Sequence, residues 1–406
     1  MISGCSEKTH GSVGRSHWSF LERSQRDALV CFSHLRWDFV WQRPQHLLTR
    51  AAASFNVLFV EEPIFKADAL PRLDLRKAGP VTVAVPVLPS GLSERETADR
   101  QRKLLDGLLQ SGGGDPAVLW YYTPMAMPFS DHLSAEVVVY DNMDELSAFR
   151  GASPAMLAKE NELLARADLI FTGGISLYEA KRHRHPDIRP FPSSVDEAHF
   201  AAARPRRGPQ PADQESIPAP RLGFYGVIDE RFDMPLLEGL AALRPDWHFI
   251  MVGPVLKIDP ATLPRRPNIH WLGQKAYEDL PAYLSGWDVG LMPFALNEAT
   301  RFISPTKTLE FLAAGLPVIS TPIRDVVRPY GEKRLVQIAR TPREFVAAAE
   351  KVMGRADPAW IAEVDRHLAS TSWDLTWAAM GRLIADELGR PAPRLTPAPP
   401  AVAAAR

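Results

Sequence analysis

Lys307 and Glu310 stand three residues apart in Ser304-Pro-Thr-Lys-Thr-Leu-Glu-Phe-Leu-Ala-Ala-Gly-Leu-Pro-Val-Ile-Ser-Thr321, a segment that reads as a helix running into a buried strand. Ser304 suits an N-cap, and Pro305 suits the first helical position, where its missing N–H would be unpaired anyway. Thr306 and Lys307 follow in the first turn, where the helix dipole disfavours a cation unless something negative lies nearby. A phosphate meets that need, held by the free N–H groups of the turn and by the lysine itself. Glu310 shares a face with Lys307. A carboxylate there accepts two hydrogen bonds from a vicinal diol such as a ribose. Gly315 supplies the C′ glycine, and Pro317 to Thr321 form the next short strand. Diphosphate plus ribose at one helix start describes a nucleotide diphosphate sugar. The plainer alternative is an amphipathic helix with a surface Lys and Glu pair.

Other chemistry-bearing groups follow apolar runs. Ser33-His-Leu-Arg-Trp-Asp-Phe-Val-Trp-Gln-Arg-Pro-Gln-His46 comes directly after the first of them. Aromatic faces stack on sugar rings while Arg and Asp bind hydroxyls, so Arg36, Trp37, Asp38 and Arg43 are candidate acceptor contacts. His34 suits base or hydrogen-bond work near neutrality. The competing reading makes the aromatics anchors for the next helix and His34 a core or solvated histidine. Tyr140-Asp-Asn-Met-Asp-Glu145 places Asp141 on the acceptor side, and Asp141 or Asp144 where it could deprotonate an acceptor hydroxyl; Asp144 could equally cap a helix. Arg231 could clamp a diphosphate with two parallel hydrogen bonds, or pair with Asp229 or Asp233. Gly253 and Gly273 close strands and let the backbone approach a ligand. Asn297 precedes the donor helix and is a candidate sugar contact. The basic run Lys181 to Arg189 reads as a solvated face or as a contact for anionic lipid head groups. Its His183 and His185 have no acids at metal spacing, and no metal site is expected.

The elements that must hold these groups alternate. Strands are expected at Leu29–Ser33, Asn56–Glu61, Val81–Val87, Ala117–Tyr122, Val137–Asp141 and Asp168–Thr172, with helices at 42–53, 93–110 and 153–166 between them. The alternation restarts at Arg221–Val227 and continues through Trp247–Gly253, Asn268–Gly273, Val289–Phe294, Pro317–Ser320 and Leu335–Ile338. Such alternation argues for parallel sheets covered on both faces, with ligands at the carboxyl ends of the strands. The expected organisation is a disordered 1–26, a first Rossmann-like domain at 27–200, a linker at 201–220 and a second Rossmann-like domain at 221–372. A helix at 373–390 and a disordered tail at 391–406 complete it. The chain has 406 residues, 46% hydrophobic and 23% charged, with net charge −1. That balance argues against a nucleic-acid binder. Two cysteines give no disulfide framework. No apolar run is long enough to span a bilayer, which predicts a cytoplasmic protein. No Gly-x-Gly-x-x-Gly follows the first strand of either unit, which speaks against a nicotinamide dehydrogenase.

The segment 304–318 resembles the donor-binding signature of GT-B glycosyltransferases, especially the large retaining family (family 4-like, group 1). In that family the glutamate of E-x-x-A-x-G-x-P-V binds the donor ribose, and Glu310, Ala313, Gly315, Pro317 and Val318 occupy those places. The family's second glutamate, eight residues earlier, is here Phe302. Val227 replaces the arginine usual in the family's diphosphate turn, leaving Arg231 as the nearest base. The run 33–46 resembles the N-terminal motif of glycosyltransferases of the teichuronic acid biosynthesis type. The resemblance implies a GT-B fold of two Rossmann-like domains facing each other across a cleft, with the last helix crossing back to the first domain. It implies that Gly253 lines the donor cleft and that the loop after Gly273 touches the base. It implies a hexosyltransferase that needs no cofactor beyond its nucleotide-sugar co-substrate. Its acceptor would be a saccharide or lipid-linked saccharide in cell-envelope or exopolysaccharide synthesis. Lys307 would stabilise the departing diphosphate while His34 or Asp144 served the acceptor, with peripheral contact to the inner membrane face. The rivals are a catalytically silent nucleotide-sugar-binding subunit and a GT-B sugar-nucleotide epimerase.

Overall fold

The computed structural model describes residues 26–112, 114–205, 208–354 and 357–391. Apart from Arg26 and Pro391, the ends expected to be disordered lie outside the described residues. Apolar, β-branched runs build two sheets. The first contains β1 (Ala28–Phe32), β2 (Asn56–Val60), β3 (Ile64–Lys66), β4 (Arg72–Ala78), β5 (Val81–Pro89), β6 (Val118–Tyr121), β7 (Val137–Asn142), β8 (Leu169–Thr172) and β9 (Ile188–Pro190). Their order is β3-β5-β2-β1-β6-β7-β8-β9, all parallel, with β4 added antiparallel to β5. The second contains β10 (Arg221–Tyr225), β11 (His248–Val252), β12 (Ile269–Gly273), β13 (Val289–Met292), β14 (Val318–Ser320) and β15 (Gln337–Ile338), ordered β12-β11-β10-β13-β14-β15 and parallel throughout.

The strands read as unbroken apolar runs because both faces are covered. In β1, Leu29 and Cys31 enter one core layer while Val30 and Phe32 enter the other. Three strands escape the sequence reading. β3 and β9 have three residues each, and β4 alternates charged with apolar residues on an open edge.

The segment 201–220, expected as a linker, is anchored to the second domain at its described residues. Ala203 and Ile217 join Val195 and Phe200 in the core of the second domain. Gln214 is fully buried, donating to the Tyr283 carbonyl at 3.0 Å and accepting from Trp287 Nε1 at 2.7 Å. Arg204, which donates to the Ala313 carbonyl at 2.8 Å, and Asp213, which accepts from Tyr283 at 2.8 Å, add polar anchors, and such scattered contacts leave no periodic pattern.

Two features knit the domains together. The helix Trp373–Glu387 returns to the first domain, where Trp373, Trp377, Met380 and Ile384 fill one face of its sheet. On the opposite flank, Asp325 of the second domain accepts the backbone N–H of Ser176 at 3.0 Å, capping the helix Ile175–Lys181 of the first. Arg324 and Arg328 both reach Glu179 of that helix, at 2.6 and 2.8 Å. The approach requires a glycine at 174, because a Cβ there would lie 2.3 Å from Asp325 Oδ2.

Candidate active site

The carboxyl ends of β1, β7, β10, β11 and β12 converge on one cavity of about 1060 Å³, walled by both domains. Its floor is set by β10, which is buried along its whole length. Tyr225 at the strand end donates its hydroxyl proton to Glu310 Oε2. Gly226 follows with φ +133°, and a Cβ there would fall 2.2 Å from Lys307 Cε and 2.7 Å from Nζ. Gly253 (φ +138°) repeats the device one strand over, since its Cβ would lie 1.9 Å from the Gly226 carbonyl oxygen. Gly226 therefore clears the space that the Lys307 side chain occupies, and Gly253 lets the two strand-end backbones approach.

The helix carrying Lys307 and Glu310 spans Lys307–Ala313, beginning two residues later than the proline suggests. Pro305 and Thr306 first make a tight turn, their carbonyls accepting from the N–H groups of Thr308 (3.2 Å) and Leu309 (3.0 Å). Thr306 takes the N-cap place without a side-chain cap, and it lines the cavity. Ser304 is not the cap; its carbonyl instead accepts the Ser193 hydroxyl at 3.0 Å.

The electrostatics of the cavity follow from burial. Desolvation pushes the Lys307 ammonium below its ordinary pKa, opposed by the nearby Glu310 charge. Desolvation likewise raises Glu310, opposed by Lys307 and by the Tyr225 hydrogen bond. Burial pushes the Asp144 carboxyl up to about 6, against the pull of Arg231, Arg43 and Lys307. Arg231 binds Asp229 with both prongs, at 2.9 and 2.7 Å, and lies 5.4 Å from the Phe149 ring across the cleft. It is both paired, as the plainer reading had it, and part of the cavity wall.

Several candidates are placed elsewhere. Asp141 is wholly buried and holds Arg43 in a two-pronged pair at 2.8 and 2.9 Å, so it has no surface for an acceptor. Arg43 also donates to the Phe191 carbonyl at 2.7 Å, leaving an edge on the cavity. Arg36 turns away to Glu61 (2.9 Å) and to the carbonyls of Glu62 and Pro63, bracing the loop after β1. Trp37 and Asp38 do line the cavity, Trp37 packed edge-on against Phe59 and Asp38 paired with Arg76 at 2.5 Å. His34 lies outside the lining; burial and the Lys257 charge hold its imidazole down to about 4, so it is neutral at pH 7. Asn297 caps a short turn, accepting from the Thr300 N–H at 3.1 Å and donating to the Glu230 carbonyl at 3.0 Å, and it too is outside the lining. Gly273 contributes only its carbonyl, which accepts the Gly253 N–H at 2.8 Å; the residues after it, Gln274 to Tyr277, reach the cavity.

Sequence reasoning missed Tyr225, Gly226, Arg76 and Tyr277. The pair Tyr225-Gly226 at a strand end was a visible signal. Tyr277 left none, since its position depends on Trp41 and His46 of the other domain, each 5.9 Å from its ring. Gln274 also crosses the cleft, donating to the Phe39 carbonyl at 2.6 Å. The basic run is largely neutralised: Lys181 is buried between Glu145 and Glu160, Arg184 binds Glu160, and Arg189 binds Asp187. Among the described residues no group of three or more His, Cys, Asp or Glu could hold a metal ion, and no helix is long and apolar enough to cross a membrane.

The Arg43–Asp141 pair yields a stability prediction. Arg43→Ala strands a fully buried carboxylate, which should cost about 3–5 kcal/mol. Chemical denaturation with an unshifted midpoint would contradict this.

Residues 219–355 match the family model "Glycosyl transferases group 1". The chain is 27% identical over 288 residues to the "Putative teichuronic acid biosynthesis glycosyltransferase TuaH" of Bacillus subtilis (strain 168), covering 66% of this chain and 72% of that protein. Its fold is similar to that of a sucrose-phosphate synthase from Thermosynechococcus elongatus (TM-score 0.64, 16% identity, 90% of this chain and 100% of that one). It is also similar to a trehalose-6-phosphate structure from E. coli bound with UDP-2-fluoro glucose (TM-score 0.63, 14% identity, 88% of this chain and 98% of that one). The architecture is GT-B, two Rossmann-like domains across a cleft.

Proposed function

We infer that this GT-B glycosyltransferase, whose second domain matches the group 1 glycosyl transferases, moves a sugar from a nucleotide diphosphate sugar to a saccharide or lipid-linked saccharide. Cell-envelope or exopolysaccharide synthesis is the setting suggested by its similarity to a teichuronic acid relative. The observation that carries the reading is Lys307, lodged in the space cleared by Gly226 beside Glu310 and across the cleft from Asp144.

In this reading Glu310 accepts from the ribose diol through the oxygen that Tyr225 leaves open. Lys307 and Arg231 meet the diphosphate as its bond to the sugar breaks and negative charge grows on the leaving oxygen. These cations on the chain itself carry that charge. Asp144 takes the proton from the acceptor hydroxyl as its oxygen bonds to the sugar. Asp38 on the cavity wall offers a polar contact to the acceptor.

The test is calorimetric titration with UDP, GDP, ADP and CDP, followed by transfer assays over an acceptor panel. Glu310→Gln keeps the shape and the Tyr225 hydrogen bond, so it should weaken the best-bound nucleotide about tenfold or more while the fold is retained. Unchanged affinity would remove Glu310 from the donor site. Tight binding without transfer would favour the silent-subunit reading, which Phe302 in place of the family's second glutamate keeps open. Turnover of the nucleotide sugar without acceptor would favour an epimerase.

A further inference from the structure

Tyr277 carries a buried hydroxyl that none of the described residues satisfies. A buried tyrosine hydroxyl ordinarily finds a partner, so an orphan beside a cavity calls for a reason. The ring cannot turn to seek one. It is stacked on His199 at 4.2 Å and 10°, edge-on to Phe200 at 5.7 Å and to His46 at 5.9 Å, and tilted against Trp41. Its backbone carbonyl is tied to His199 Nε2 at 3.0 Å. Phe200 in turn stacks with Tyr225 at 6.2 Å, and Tyr225 holds one oxygen of Glu310. Tyr277, Tyr225 and Glu310 all border the cavity. Burial, and after it the negative charge of Glu310, keeps the Tyr277 hydroxyl protonated well above the ordinary range.

We propose that the Tyr277 hydroxyl is a second ribose contact, donating to the sugar hydroxyl that itself donates to Glu310. The proposal rests on the nucleotide-site reading above and adds a residue and a selectivity to it. A ribose hydroxyl carries one donor and two acceptor lone pairs, so it can give its proton to a carboxylate and still accept from a phenol. Glu310 as an acceptor and Tyr277 as a donor therefore complement one ribose hydroxyl from two sides. A nucleotide lacking that hydroxyl leaves the Tyr277 hydroxyl and the second oxygen of Glu310 without this partner, which is how a site built to hydrogen-bond a hydroxyl rejects the analogue without it. The site thereby selects ribonucleotides.

The experiment compares wild type with Tyr277→Phe, which keeps the ring and its stacking and removes only the oxygen. Both are titrated with UDP, GDP, ADP and CDP, and then with the 2′-deoxy and 3′-deoxy forms of the best binder. The variant is expected to bind the ribonucleotide about five- to tenfold more weakly. It should match wild type against the deoxy form that lacks the contacted hydroxyl, with no loss of melting temperature in the free protein. Equal ribonucleotide affinity in the two proteins overturns the proposal while leaving the donor site standing. So does a penalty of the same size against both deoxy forms, which marks a structural role. Failure of wild type to bind any of the four nucleotides overturns the nucleotide-site reading and this contact with it.

Discussion

Lys307→Ala is expected to lower kcat by about 10²–10³, the loss typical when one preorganised group is removed from developing negative charge. The size follows from where the ammonium lies. It is half-buried beside Phe224 and Tyr225 with its pKa pressed downward by desolvation, and a cation in a water-poor site interacts more strongly with an arriving diphosphate than one in solvent. Nucleoside diphosphate binding should weaken as well. The fold should survive, because truncating a half-buried cavity-wall side chain removes no core volume while Glu310 keeps its Tyr225 hydrogen bond. Lys307→Arg should not restore activity. The room beside Gly226 is so close to the lysine stem that even a Cβ on that glycine would collide with it. Steady-state rates set beside calorimetric affinities are the check, and a kcat within tenfold of wild type for the alanine variant would remove Lys307 from the chemistry.

Asp144→Asn is expected to move activity and stability in opposite directions. Burial raises the carboxyl to about 6 in the folded chain, above an ordinary value of 3.8. The folded state then binds more protons than the unfolded state between those values, so this group makes stability fall as pH rises through that window. Above pH 6 the buried charge costs up to about 3 kcal/mol, from roughly two units at 1.36 kcal/mol each. The asparagine variant should therefore melt higher than wild type at pH 7.5 and at the same temperature at pH 3. Its transfer rate should be low throughout, whereas wild type should lose activity as pH drops through about 6. A variant that transfers normally at neutral pH would exclude Asp144 as the base.

The fold was legible wherever one strand carried apolar residues on both faces. β1, β7 and β10 could be read with little error because burial on two sides suppresses polar residues. Edge strands such as β4 lack that pressure. That Lys307, Glu310, Gly253 and Asp144 line the cavity was readable because each stands at a strand end or helix start. Asp141 and Arg36 were misread for the same reason. Position after a strand does not say whether a charge faces the cleft or a partner 98 or 25 residues away. Tyr277 was invisible, its place being fixed by rings from two separate stretches of chain, Trp41 with His46 and His199 with Phe200.

The returning helix Trp373–Glu387 has a consequence for how the protein is made. Trp373 stacks on His46 at 4.8 Å, and Trp377 lies against Trp120 of the central strand β6. The first domain is thus closed by residues that leave the ribosome only after the whole second domain. Until they arrive, a nascent chain shows an unfinished apolar face around Ala51, Trp120 and Phe171. Expressed without that helix, the amino-terminal half is therefore expected to leave this apolar face bare, so that what reads as two tandem units is completed only as one.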